Sequence, residues 1–203
     1  MEQKPEIDLS RDPFDTFDDW YAEAEPLELN DPNAVALATA DASGCPSVRM
    51  VLLKEWDKRG FVIYTNWNSR KGKEFQENQR AALCLYWKST KRQIRIVGPT
   101  EQVSQAESDA YYDSRYLGSR IGAIASQQSQ PLESREKLMA EVAELEKVHS
   151  EDNPPKRPEN WAGLRIIPTE IEFWQEQPFR LHDRWVFTRK DAGADWSVQR
   201  LYP

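Results

Sequence analysis

The segment Phe173-Trp174-Gln175-Glu176-Gln177-Pro178-Phe179-Arg180-Leu181-His182-Asp183-Arg184 concentrates more chemistry than any other stretch of the chain. Within eleven residues it places an indole, two guanidiniums and one of only two histidines. If Arg180 to Arg184 is extended, the period-two alternation of a strand turns Arg180, His182 and Arg184 to one face. Two fixed cations flanking an imidazole make a poor core and a good site for an anionic or electron-rich ligand. The competing reading is a solvated strand edge that carries a histidine by chance.

Four further groups have types and spacing that bear on anion binding. In Arg49-Met50-Val51-Leu52-Leu53-Lys54 an apolar run separates two cations. On a strand Arg49 and Lys54 lie an odd number of residues apart, so they point to opposite faces and can serve two compartments. Tyr64-Thr65-Asn66 is followed by Ser69-Arg70-Lys71, which opens a helix. The free backbone N–H groups of a helix start favour an anion, and a guanidinium with an ammonium there makes a phosphate clamp. The bland alternative is a helix start that happens to be basic, although cations there oppose the dipole. Tyr111, Arg115 and Ser119 supply a phenol, a guanidinium and a hydroxyl, and Ser126-Gln127-Gln128-Ser129 is a polar helix end. Both of these are also common on ordinary helix surfaces.

The elements that must position these groups are short. Residues 1–12 read as a flexible tail, and residues 13–203 as a single domain. Pro13 to Glu25 suits a helix with Phe14, Phe17, Trp20 and Tyr21 on one stripe. Strand-like runs follow at Val35–Ala40, Ser47–Lys54 and Phe61–Thr65, with hairpin connections at 41–44 and 57–60. Ser69 is a good N-cap for a helix through about Asn78. Two more strands are expected at Ala81–Trp87 and Gln93–Val103. Helices are expected at Gln105–Ser114, Ser119–Ser126 and Ser134–His149. The last is amphipathic through Leu138, Met139, Val142, Leu145 and Val148, and a Pro-rich loop ends it. Strands return at Leu164–Ile167, Glu170–Trp174, Trp185–Arg189 and Trp196–Leu201. Many short strands at hairpin spacing, with helices between them, predict a mainly β (α+β) antiparallel barrel with peripheral helices.

Composition narrows the function. The 203-residue chain has a net charge of −7. The charge is uneven: residues 1–43 carry twelve acidic residues against Lys4 and Arg11, whereas residues 49–73 carry seven basic residues against Glu55 and Asp57. An acidic chain with a local basic cluster suits a small phosphorylated ligand better than nucleic acid. No apolar run approaches membrane length and no secretory signal is visible, so a cytoplasmic protein is expected. Cys45 and Cys84 form no disulfide framework, and with two histidines they offer little for a metal. Neither G-x-G-x-x-G nor G-x-x-x-x-G-K-[ST] occurs, so side chains must hold any phosphate.

Taken in order, Arg-x-Val-Leu-Leu-Lys at 49–54, Tyr-Thr-Asn at 64–66, Ser-Arg-Lys at 69–71 and Arg-Gln at 92–93 are followed by Tyr-x-x-x-Arg-x-x-x-Ser at 111–119 and Ser-x-Gln-Ser at 126–129. Glu-Phe-Trp-Gln at 172–175, Arg-Leu-His-Asp-Arg at 180–184 and Arg-Leu-x-Pro at 200–203 complete the series. From about residue 30 onward the chain thereby resembles the pyridoxine/pyridoxamine 5′-phosphate oxidases. The resemblance implies a split β-barrel homodimer with FMN between the subunits. It implies that Arg49, Arg70, Lys71, Gln128 and Ser129 hold the FMN phosphate and ribityl chain, and that the backbone of Met50, Val51, Leu52 and Leu53, with Tyr64 and Thr65, lines the flavin. Gln93, Trp174 and Arg184 would contact or position the ring system. Lys54, Tyr111, Arg115 and Ser119 would take the substrate phosphate, with Arg180 and His182 facing the substrate ring as the catalytic pair.

The implied reaction oxidises pyridoxine 5′-phosphate and pyridoxamine 5′-phosphate to pyridoxal 5′-phosphate, with O2 as acceptor. Two departures stand out. Family members often have a basic N-terminal segment where this chain is acidic, and often a glycine before the Arg-Leu-His-Asp-Arg block where this chain has Glu176-Gln177-Pro178-Phe179. A flavin-binding module without oxidase activity is the reading from another class, and it needs no second phosphate site. A flavin reductase would need a nicotinamide or deazaflavin site that the sequence does not reveal.

Overall fold

The computed structural model describes residues 6–203. The part of the expected tail at residues 1–5 lies outside the described residues. Residues 6–12 lie against the body: Ile7 packs on the core and Glu6 pairs with Arg200.

Asp12 then caps α1 (Pro13–Ala24) by accepting from the Phe14 N–H, with Pro13 in the first turn, where a missing N–H costs nothing. The aromatic stripe does what its spacing predicts. Phe14, Phe17 and Trp20 are buried, and Phe17 meets Phe61 edge-on at 4.9 Å.

The strands are β1 (Ala34–Ala40), β2 (Pro46–Leu52), β3 (Glu55–Asp57), β4 (Gly60–Asn66), β5 (Arg80–Trp87), β6 (Arg92–Gln102), β7 (Trp161–Ile166), β8 (Glu170–Gln175), β9 (Asp183–Thr188) and β10 (Ser197–Arg200). Every pairing is antiparallel. The path runs β10-β9-β8-β6-β5-β1-β2, and β7, β4 and β3 branch from β6. Strand β6 therefore serves two sheets: Arg92–Val97 pairs with β8, and Thr100–Gln102 pairs with β7. At the changeover a Cβ on Gly98 would stand 1.9 Å from the Ile167 carbonyl oxygen, so only glycine lets the chains approach. The result is a curled half-barrel. Its inner face is Val35, Leu37, Leu83, Leu85, Ile94, Ile96, Ile171 and Phe173, all sealed from solvent.

Among the described residues five α-helices surround it: α1, α2 (Arg70–Asn78), α3 (Gln105–Asp113), α4 (Leu117–Ala125) and α5 (Arg135–Val148). Ser69, Ser104 and Ser134 cap α2, α3 and α5. Among the described residues no helix is long and apolar enough to cross a membrane.

Three expectations need correction. Strand β2 ends at Leu52, two residues early, and the hairpin around 57–60 joins β3 to β4 instead of joining β2 to β4. The expected helix Ser119–Ser126 begins two residues sooner, at Leu117. Most consequentially, Arg180 and His182 are not on a strand. Pro178–Arg180 forms a 3-10 turn in which Phe179 and Arg180 have φ of 60° and 63°, and β9 begins only at Asp183. Period-two alternation therefore does not relate Arg180, His182 and Arg184.

Candidate active site

A cavity of about 890 Å³ opens along the edge strand β2 and is closed by β4, α2, α4 and the turn after α4. One part of its wall is built on a buried carboxylate. Glu74, on the inner face of α2, accepts from the hydroxyls of Thr39 and Ser47, from Arg49 at 3.2 Å and from Arg70 Nε at 2.9 Å. Burial alone would raise its pKa, but those hydrogen bonds outweigh burial and bring it down to about 2. Glu74 thus stays ionised and fixes two guanidiniums at the cavity wall.

Lys71 lies beside them, buried, with Nζ donating to Gln128 Oε1 at 2.8 Å. Burial first, and then repulsion from Arg49, depress its pKa to about 8. Thr65 also donates to Gln128 Oε1, at 3.3 Å, and so ties β4 to the turn after α4. Three cations around one carboxylate leave an excess of positive charge in a wall that also carries Ser126, Gln128 and Ser129.

A second polar group shares the cavity. Lys54, Tyr111, Arg115 and Ser119 line it, together with Tyr64 and Trp161. The rings form a stack: Tyr64 lies on Tyr111 at 3.9 Å, Trp161 is 5.3 Å from Tyr64, and the Tyr111 and Trp161 planes differ by 1°. The Arg115 guanidinium sits 4.9 Å over the Trp161 ring. Arg115 Nη1 is buried and has no protein hydrogen-bond partner. Burial pulls the Arg115 pKa down and pushes the Tyr111 phenol up.

Arg49 and Lys54 do not serve opposite compartments. Because β2 ends at Leu52, Lys54 turns back and both cations line one cavity. The chain nevertheless separates the two polar groups. Ser119 and Ser126 are seven residues apart along α4, about 10 Å at the helical rise.

Arg49, Met50, Val51, Leu52, Lys54, Tyr64, Thr65, Arg70, Lys71, Tyr111, Arg115, Ser119, Gln128 and Ser129 all line this cavity. Leu53 does not. Its side chain is in the core, and its N–H donates to the Asn33 carbonyl.

The remaining five residues lie elsewhere on the protomer. Gln93, Trp174 and Arg184 form one row across β6, β8 and β9, as register partners. Glu172 grips Arg184 through both oxygens, at 2.8 and 3.1 Å, and the Tyr202 carbonyl accepts from Nη1 at 3.1 Å. His182 packs on Trp174 at 4.6 Å, and its Nδ1 accepts from the Gln177 N–H at 3.2 Å. Arg180 is exposed, in a left-handed conformation that costs a non-glycine residue about 1–2 kcal/mol. The outer sheet face carrying this row is continuous with exposed Val48 and Met50 on β2.

Sequence reasoning missed Glu74, Thr39, Ser47 and Trp161. Glu74 did carry a signal, as an acid one turn after Arg70 on the same helix face. Trp161 carried none.

The fold has close counterparts. PhzG from Burkholderia lata 383, solved in complex with tetrahydrophenazine-1-carboxylic acid, matches with a TM-score of 0.88 and 35% identity over 94% of this chain and 92% of that one. A pyridoxamine 5′-phosphate oxidase-related, FMN binding protein from Nostoc punctiforme PCC 73102 shares the fold at 17% identity and a TM-score of 0.77, covering 96% of this chain and all of that one. The class is that of split barrels related to pyridoxamine 5′-phosphate oxidase.

Residues 22–149 match the family described as pyridoxamine 5′-phosphate oxidase, and residues 161–203 match the pyridoxine 5′-phosphate oxidase C-terminal dimerisation region. Pyridoxine/pyridoxamine 5′-phosphate oxidase from Brucella canis is 56% identical over 194 residues, 96% of this chain and 95% of its own. The enzyme of that name from Brucella suis biovar 1 is equally similar and is 93% covered. The chain belongs to the pyridoxamine 5′-phosphate oxidase family.

Proposed function

We propose that this chain is an FMN-dependent pyridoxine/pyridoxamine 5′-phosphate oxidase that makes pyridoxal 5′-phosphate. The balanced reactions are alcohol substrate plus O2 to aldehyde plus H2O2, and amine substrate plus O2 and water to aldehyde, ammonia and H2O2. The observation that carries the reading is two separate polar, basic groups in one cavity, with Arg115 Nη1 buried and without a protein hydrogen-bond partner in the second. A flavin binder alone needs one phosphate site.

The residues fit FMN. Arg49, Arg70 and Lys71, with Gln128 and Ser129, would hold its phosphate and ribityl chain, and a cavity of about 890 Å³ has room for a mononucleotide with a small substrate. FMN supplies the hydride acceptor and the route for electrons to O2. The chain supplies position and electrostatics. Glu74 keeps Arg49 and Arg70 aimed into the cavity. Lys54, Tyr111, Arg115 and Ser119 take the substrate phosphate, and the stacked rings of Tyr64, Tyr111 and Trp161 form a rigid wall behind it.

Gln93, Trp174, Arg180, His182 and Arg184 act on the flavin and substrate rings across a homodimer interface. The dimerisation match at 161–203 and the exposed Val48 and Met50 on the same outer face support that arrangement. Arg180 and His182 orient the substrate ring, and His182 is the group available to hold or move a proton at its C4′ substituent.

The test is anaerobic. The purified protein is expected to carry FMN, and added pyridoxine 5′-phosphate is expected to bleach the flavin band. Non-phosphorylated pyridoxine at equal concentration should bleach it far more slowly. Equal rates for the two would remove the second phosphate site and the reading with it.

A further inference from the structure

Arg157 touches none of the groups assigned above to FMN or to the substrate, yet it braces the substrate-phosphate group from behind. It lies in the Pro-rich loop that precedes β7 and is only 12% exposed at its side chain. Its Nε donates to Asp109 Oδ1 at 2.6 Å, and its Nη1 donates to the Trp161 carbonyl at 2.6 Å. Asp109 is on α3, two residues before Tyr111. Trp161 is the ring beneath Arg115. One planar guanidinium therefore ties α3, whose C-terminal end carries Tyr111 and Arg115, to β7, whose Trp161 ring lies under Arg115. A side chain with a single donor could not hold both anchors in that geometry.

Around Tyr111 the other links between α3 and β7 are ring contacts, Tyr112 edge-on to Trp161 at 5.2 Å and Tyr111 parallel to it, and lower on the helix Glu107 pairs with Arg165 at 2.7 Å. Ser108 Oγ accepts from the Gly163 N–H at 3.2 Å, one turn below. Arg115 has no protein hydrogen bond at Nη1, so its position depends on the Trp161 face it lies on.

We infer that Arg157 is a positioning residue for substrate phosphate: by tying Asp109 to the Trp161 carbonyl it seats the end of α3, with Tyr111 and Arg115, on the Trp161 ring. This rests on the assignment of Tyr111 and Arg115 to the substrate phosphate. The device is separate from the FMN wall, which is built on Glu74 and α2, so its effect is selective.

The experiment uses FMN-loaded Arg157→Met, Arg157→Lys and Asp109→Asn proteins. Arg157→Met is expected to raise KM for pyridoxine 5′-phosphate about tenfold, the scale of one misplaced charge-assisted contact. The inhibition constant of inorganic phosphate should rise in parallel, while kcat and the Kd for FMN stay within about twofold. Arg157→Lys should restore part of the loss, and Asp109→Asn, at a half-exposed anchor, should show a smaller rise of the same kind. If Arg157→Met does not fold, Asp109→Asn carries the test alone. An unchanged KM in the folded variants overturns the proposal. So does a parallel loss of FMN affinity and thermal stability, which marks a merely structural residue. Arg115→Ala is the control for the underlying assignment: if it leaves KM and phosphate inhibition unchanged, the phosphate site itself is misplaced. A normal Arg115→Ala effect with silent Arg157 variants isolates the failure to the brace.

Discussion

Arg49 and Glu74 meet at 3.2 Å, and the same carboxylate holds Arg70 at 2.9 Å. The wall proposed to hold the FMN phosphate is therefore built around an internal anion that is only 4% exposed. Its pKa, about 2 when folded against 4.5 when free, makes folding depend on its ionisation. A depressed carboxylate pKa contributes stability that is complete above the unfolded value and is lost as pH falls through the folded one. The contribution, on the order of 3 kcal/mol, should therefore disappear between about pH 4.5 and pH 2. Glu74→Gln should lower the urea midpoint at neutral pH and flatten that acid limb. An unchanged limb in the variant would assign the acid sensitivity to other groups.

Lys71 gives a limb at the opposite end. Its pKa, lowered to about 8 by burial and by Arg49, leaves it part neutral in mildly alkaline solution. An anion binds the charged form, so the apoprotein must take up a proton to bind FMN above that pH. FMN affinity is expected to fall as pH rises through about 8. Lys71→Met should bind FMN more weakly at neutral pH and show no such limb. Titration by flavin fluorescence quenching across pH 6 to pH 10 checks it, and a flat profile for the parent protein would refute it.

What the sequence makes legible divides along physical lines. The Ser69 cap, the α1 stripe and the grouping of Arg70 with Lys71 are local, and chain-neighbour chemistry reveals them. The fourteen cavity-lining residues foreseen came largely from motif order, not periodicity. Alternation failed at Lys54 because Leu53 continues the apolar pattern past the true end of β2. It failed again at Arg180 because two successive non-glycine residues adopt positive φ, for which these side chains give no sign. Thr39 and Ser47 act through Glu74, 35 and 27 positions away, a relation that exists only once β1 and β2 pack on α2.

Gly163 should prove as sensitive as a binding residue. It is the register partner of Tyr64, and a Cβ there would stand 2.8 Å from Tyr64 Cε1 and 2.6 Å from Val103 Cγ2. Gly163→Ala must displace the Tyr64 ring and disturb its 3.9 Å stack on Tyr111. A loss of about 1–3 kcal/mol in stability is expected from overpacking, together with a raised KM for the phosphorylated substrate. Thermal melts and steady-state kinetics read the two effects separately. A variant with parent stability and KM would show that the ring wall is not rigid.

One protomer keeps two groups of proposed site residues apart. Arg70 lies at the cavity, whereas His182 lies on Trp174 at the β8–β9 corner. If each active site takes its phosphate wall from one subunit and His182 from the other, then an Arg70→Ala protomer and a His182→Ala protomer complement one another. Each homodimer should be nearly inactive, for different reasons. Arg70→Ala should lose FMN affinity, roughly ten- to hundredfold for one charge-assisted contact. His182→Ala should keep FMN and lose turnover, substrate affinity or both. In a mixed dimer one site carries both lesions and the other carries neither. Unfolding and refolding an equal mixture should make half of the dimers mixed, each with one intact site, and so restore roughly one quarter of parent activity. Arg184→Ala, aimed at the flavin ring, should complement like a His182 variant while shifting the flavin spectrum. If the mixture shows no more activity than its components while capture through a tag carried by only one variant confirms mixed dimers, the phosphate wall and His182 belong to the same subunit's site and the proposed interface is wrong.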